Sequence, residues 1–175
     1  MTLGDRIVVM KDGLIQQCAP PLVVYEQPVN RFVAGFVGTP PMNFITGSIV
    51  DGRYFTFEKQ RLLLTPRLQQ CLNKEPATEV ILGVRPEAIS PTGEGRFAGQ
   101  ENIIQATISV IEPLGDKVDL YLSAGQQPTL ICRTDAHHLQ GLAVQAELPL
   151  YLNMDKVHLF ATDTTGRNLT LPQQA

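Results

Sequence analysis

Phe32-Val-Ala-Gly-Phe-Val-Gly-Thr-Pro-Pro-Met-Asn-Phe44 divides the chain. Phe32, Val33, Phe36 and Val37 recur at helical spacing and predict a short helix with one apolar stripe, with Asn30 as its N-cap. Gly38 suits the left-handed residue that closes such a helix, and Pro40-Pro41 forbids its continuation. Phe44 then opens a strand. The chain before this joint reads as the end of something larger. The chain after it reads as a self-contained β-domain.

Before the joint, Arg6-Ile-Val-Val-Met10 and Leu14-Ile-Gln-Gln-Cys18 flank Asp12-Gly13, a strong hairpin signal because glycine accepts the positive φ the turn needs. Ile7-Val8-Val9 is apolar without alternation, as in a strand covered on both faces. Pro20-Pro21 can start a helix that must stop before Pro28. A hairpin and two short helices bury little core alone, so residues 1–38 read as an appendage.

After the joint the pattern is β. Strands are predicted over 44–50, 53–57, 61–65 and 79–84, with a second hairpin signal at Asp51-Gly52 and a short helix over 66–72. Pro86 marks where the fourth of these ends, since proline has no ladder donor. Residues 91–100 read as an exposed loop. Further strands are predicted over 102–111, 117–122, 129–133, 144–152 and 157–160, and the polar tail from Asp163 as frayed. Many short strands with regular turns predict a mainly β barrel or sandwich over residues 39–163, with 164–175 as a tail.

Apolar residues make up 43% of the 175 and charged residues 18%, the balance of a folded domain. A net charge of −3 and a pI near 5.6 oppose binding to a phosphate backbone, so no nucleic-acid partner is expected. Cys18, Cys71 and Cys132 lie far apart without paired spacing, as reduced thiols do. The N-terminus lacks the apolar core of a signal peptide. No stretch reaches the ~20 apolar residues of a membrane helix, so membrane association has to come through a partner.

Few residues invite chemistry. His137-His138 is the one adjacent pair of metal-capable side chains. Neighbours in sequence usually point apart, and no cysteine or further histidine stands at ligand spacing, so no metal site is expected. His158 reads as a strand residue. Arg85-Pro-Glu87 reads as a turn locked by an arginine bonded to a carboxylate or carbonyl, and Glu112-Pro-Leu-Gly-Asp116 as a turn rather than a pair of catalytic acids. Gly35, Gly38 and Gly52 make no phosphate loop, which requires Lys directly after Gly, and the chain contains no Gly-Lys pair. No catalytic, cofactor-binding or metal-binding residue is assigned.

Three stretches together carry a resemblance: Arg31 to Phe44, Leu3-Gly-Asp-Arg-Ile-Val-Val-Met-Lys-Asp-Gly13, and Leu82-Gly-Val-Arg-Pro-Glu87. They are similar to the ATPase subunits of carbohydrate-uptake ABC importers, the family of the maltose importer's ATPase, at the passage from the nucleotide-binding domain to the C-terminal regulatory domain of the TOBE type. The resemblance implies an OB-like barrel preceded by a hairpin and two short helices from the nucleotide-binding domain. The family's ATP-hydrolysing motifs would lie upstream of Met1, which matches an internal methionine, so the chain corresponds to the last half of such a subunit and is no enzyme alone.

The implied role is regulation and dimerisation, as a homodimer in the cytoplasm at the inner face of the membrane. Its implied partners are a second ATPase subunit, permease subunits and a regulatory protein. The alternative, from related TOBE domains, is a module that binds an oxyanion or metabolite.

Overall fold

At the first predicted turn Asp12 and Gly13 both take positive φ, 49° and 79°, and join β1 (Ile7–Lys11) to β2 (Leu14–Ala19). The computed structural model describes residues 4–74, 76–139 and 141–172. α1 (Pro21–Glu26) begins on proline. α2 (Arg31–Phe36) is capped by Asn30, whose Oδ1 accepts the Val33 amide at 2.9 Å. The inner face of the hairpin, built on Val9 with Ile7 and Ala19, packs on Val24 of α1 and Val33 of α2. α2 runs for less than two turns and buries Val33 and Ala34, leaving Phe36 67% exposed. The four-residue stripe read from the sequence therefore does not face the body as a unit.

Past the joint come β3 (Asn43–Val50), β4 (Tyr54–Phe57), β5 (Gln60–Leu63), α3 (Pro66–Lys74) and β6 (Glu79–Val84). β7 (Ile89–Ser90), β8 (Ile103–Pro113), β9 (Lys117–Ser123), β10 (Leu130–Asp135), β11 (Glu147–Leu152) and β12 (His158–Phe160) complete the chain. They form two five-stranded antiparallel sheets, ordered β12-β6-β3-β4-β5 and β10-β9-β8-β11-β7. The inner faces share one core, in which Ile45, Phe55, Leu62 and Leu82 of the first sheet meet Ile104, Ile108, Leu120 and Leu150 of the second. This is the mainly β, barrel-like body that the strand pattern predicts.

Side-chain amides close the barrel where the ladders run out. At one seam Asn43 Nδ2 donates to the Ile131 carbonyl at 2.8 Å, and the Ile131 amide donates to Asn43 Oδ1 at 2.7 Å. Beside it Gln127 exchanges the same two bonds with Thr46. At the other seam Gln60 exchanges them with Gln105, and Asn102 accepts the Leu63 amide at 2.6 Å. A carboxamide has one acceptor and N–H donors in a plane, so it can satisfy the main chain of a facing strand as a peptide would. Gln105 also explains a proline inside a paired strand. Pro149 lies opposite Gln105 in the β11–β8 register, while the amide and carbonyl of Gln105 bond to Gln60 on the other side. Pro149 therefore breaks no ladder bond there.

Two expectations need correction. The last long strand starts at Glu147 and not at Val144, because Gln145 takes a φ of 71° and the chain turns there, with the Gln145 amide donating to the Ile108 carbonyl and the Ala146 carbonyl accepting from the Ile108 amide. Nor is the segment after Asp163 frayed through residue 170. Asn168 and Leu169 are buried, and this segment bridges both Asn30 and Phe160. Its polar composition is used on internal partners: Asn168 donates to the Pro28 carbonyl at 2.8 Å, and the Arg31 amide to Gly166 at 2.8 Å.

Candidate functional site

β6 is buried from Val80 to Val84, and the next residue is an arginine only 5% exposed. Pro86 turns the chain immediately after it, into a 3₁₀ turn over Pro86–Ala88. Burial this deep calls for partners; those of Nη1 and Nη2 are remote, and Nε is buried with none among the described residues. Nη1 donates to the carbonyls of Ala34 at 3.1 Å and Val37 at 2.5 Å, and Nη2 to that of Tyr25 at 2.8 Å. Those carbonyls lie at the C-terminal ends of α1 and α2, where a helix leaves acceptors unpaired and its dipole favours a cation. One barrel side chain thus caps both helices of the appendage.

The surroundings fit this geometry. The guanidinium lies over the Tyr25 ring, 4.0 Å from its centroid. Tyr25 in turn donates its hydroxyl to Glu87 at 2.5 Å. Burial, followed by that bond to an anionic acceptor, pushes the Tyr25 hydroxyl up to about 12. Burial pulls Arg85 below its ordinary value, against the opposing pull of Tyr25 and Glu87. Gly38 passes so close that a Cβ there would lie 2.9 Å from Arg85 Nη1, and its φ is +120°. The helix-closing glycine read from the sequence is thus held to glycine by a neighbour 47 residues away, as well as by its own backbone.

The joint is also held from the second sheet. Arg133 forms a two-pronged pair with Asp119 at 2.7 and 2.6 Å, and donates from Nη1 to the Thr39 carbonyl at 2.7 Å. The tail supplies a third hold. Asn168 touches Pro28, and His158 Nδ1 lies 3.1 Å from Thr170 Oγ1 and 3.3 Å from Asn168 Nδ2. Burial, with Arg67 and Arg85 adding repulsion, pushes the His158 imidazole down to about 4.

Arg85-Pro-Glu87 is therefore a lock, but on two helices and not on its own turn. The sequence signal was a charged residue ending an apolar strand, and nothing local identified its acceptors. Glu112 stays in its hairpin, accepting from Tyr121 at 2.9 Å. None of the three cysteines is in a disulfide, and Cys132 is buried. His137 and His138 do not diverge as adjacent residues usually do. The 3₁₀ turn after β10 brings their ring centroids to 4.1 Å.

A cavity beneath the lock is lined by Arg67, Arg85, Arg96 and Lys156 together with Glu26, Glu87 and Asp155. Its charges nearly balance. Each of the three guanidiniums donates to main-chain carbonyls, while the Nε of Arg85 is buried without a hydrogen-bond partner among the described residues.

The outer face of the hairpin is bare. Val8, Met10 and Ile15 are 51%, 53% and 64% exposed, with Met10 opposite Ile15 in the ladder.

The family model for the MalK OB fold domain matches residues 38–89, and that for the TOBE domain residues 82–160. They overlap where the chain crosses from the first sheet through Arg85 to the second. The chain is 38% identical over 170 residues to the ABC transporter ATP-binding protein YcjV of Escherichia coli K12, covering 94% of this chain and 44% of that one. It is 35% identical to the trehalose/maltose import ATP-binding protein MalK of Thermococcus litoralis, covering 95% and 45%. It is also 35% identical to the sn-glycerol-3-phosphate import ATP-binding protein UgpC 1 of Rhizobium johnstonii, covering 98% and 44%. The chain thus spans less than half the length of these relatives. A solved structure of the cytoplasmic molybdate-binding protein ModG matches 67% of this chain and 94% of its own, with a TM-score of 0.54. At 15% identity that likeness is one of fold.

Proposed function

We propose a regulatory and dimerising role for this chain, which belongs to the sugar-importer ABC ATP-binding protein family by its MalK OB fold and TOBE domains. In this reading residues 1–38 end an ATP-binding domain, the barrel is the regulatory domain, and the chain hydrolyses no ATP alone. It acts in the cytoplasm at the inner face of the membrane, with a second ATPase subunit, permease subunits and a regulatory protein as partners. No helix among the described residues is long and apolar enough to cross a membrane.

The observation that carries the reading is the Arg85 lock. One guanidinium on the barrel holds the C-terminal ends of both appendage helices, so the two parts move together. A fixed contact between two subunits then limits how far two ATP-binding domains separate. The bare face of Val8, Met10 and Ile15 is the side on which further ATP-binding-domain structure packs, and in this chain alone it associates with a second copy. Burial is worth roughly 25 cal/mol per Å², so covering several such side chains contributes several kcal/mol to association.

Light scattering over a dilution series tests this. The expected result is a dimer or larger, with Val8→Lys shifting it towards monomer. A monomer at every concentration rejects the dimerising role, and a dimer indifferent to that lysine moves the contact to the barrel. The oxyanion-binding alternative is not favoured, since likeness of fold alone supports it.

A further inference from the structure

Two rings and a carboxylate converge at the end of β10. Asp135 closes the strand, and His137 and His138 follow in the 3₁₀ turn Ala136–Leu139. One ligand-capable atom from each lies within 4.8 Å of the other two. Ligands around one zinc ion, at bonds of about 2.0–2.1 Å, stand about 3.4 Å apart. Side-chain rotation at the exposed His137 can supply the difference.

One further contact prepares the group, and a second competes with the metal for Asp135. The Thr134 hydroxyl lies 2.7 Å from His138 Nδ1 and fixes that ring, the kind of outer contact that orients a metal-bound imidazole. Lys117 holds one oxygen of Asp135 at 2.5 Å. Among the described residues the other oxygen has no hydrogen bond.

We propose that Asp135, His137 and His138 bind a divalent transition-metal ion of the zinc type, with water completing its coordination. Two imidazoles and one carboxylate suit zinc, nickel or copper, whereas magnesium and calcium prefer all-oxygen shells. The sequence argued against this pair because neighbours diverge on helix and strand. A 3₁₀ turn that keeps two adjacent rings together is the exception.

Calorimetric titration of zinc chloride into the metal-free chain at pH 7.5 tests the proposal, with Cys18→Ser as background to remove an exposed thiol. The expected result is saturable binding of one ion per chain, weakened about tenfold or more by His137→Gln and by His138→Gln. Magnesium chloride should give no binding heat. Lowering the pH to 5.5 should weaken zinc binding, because protons compete for imidazole. Thermal melts of each variant guard against loss of fold, and His137→Gln, at an exposed ring, is the decisive one. No saturable zinc binding, or binding that His137→Gln leaves unchanged, overturns the site.

Discussion

Asn43 and Ile131 stand 88 positions apart and exchange two hydrogen bonds, at 2.8 and 2.7 Å, through one buried carboxamide. This pair closes the barrel at a seam with no backbone ladder. Asn43→Ala should lower stability by about 2 kcal/mol, the cost of stranding the part-buried amide and carbonyl of Ile131. Gln127→Ala at the same seam should cost less than half as much, because exposed Thr46 can bond to water. Urea midpoints measure both, and equal losses would mean that burial is not what gives Asn43 its weight.

Gly38 and Arg85 should be energetically coupled. Gly38→Ala places a Cβ 2.9 Å from Nη1 on a backbone with φ of +120°, at a cost of roughly 1–3 kcal/mol. Arg85→Met removes three hydrogen bonds to helix ends and should cost about 3 kcal/mol. The double variant should lose less than the sum, since the clash disappears with the guanidinium while the strain in φ stays. Additive losses in a double-mutant cycle would refute the close approach.

His158 should make the protein acid-sensitive. Its folded value of about 4 lies below the ordinary 6.5. The proton therefore prefers the unfolded chain, and stability is intact above pH 6.5. It falls as the pH drops from there towards 4, by about 3 kcal/mol in all. His158→Gln should flatten that part of the stability–pH curve. Parallel curves for the two proteins between pH 6.5 and 4 would exclude His158 as the cause.

A chain starting at Thr39 should keep a cooperative thermal transition, because the main core cluster lies wholly between Ile45 and Leu169. Its midpoint should be lower, since Arg85 loses all three acceptors and Ala34 leaves its cluster with Met42, Ile81 and Phe160. A molten species would put the domain boundary elsewhere.

Purified chain should show no ATP turnover above blank, since it has no phosphate loop ending in Gly-Lys. Turnover that survives removal of contaminating ATPases, and is lost on a point change in this chain, would reverse that reading.

The short-range features were legible along the chain. Asp12-Gly13 and Asp51-Gly52 take the positive φ values their hairpins require, and Asn30 caps α2 as its spacing predicts. Pro86 ends β6, and the strands between fall within a few residues of their predicted bounds. Turn chemistry, capping and side-chain periodicity act over a few residues, so they can be read along the chain. The partner that each polar side chain takes came from the folding of distant segments onto one another. Arg85 found helix ends 48 to 60 positions away, Asn43 found Ile131, and Asn168 found Pro28 across 140 positions. A buried polar group must be satisfied, but composition does not say by what. The answer depends on which main-chain atoms the folded sheets bring within about 3 Å of it.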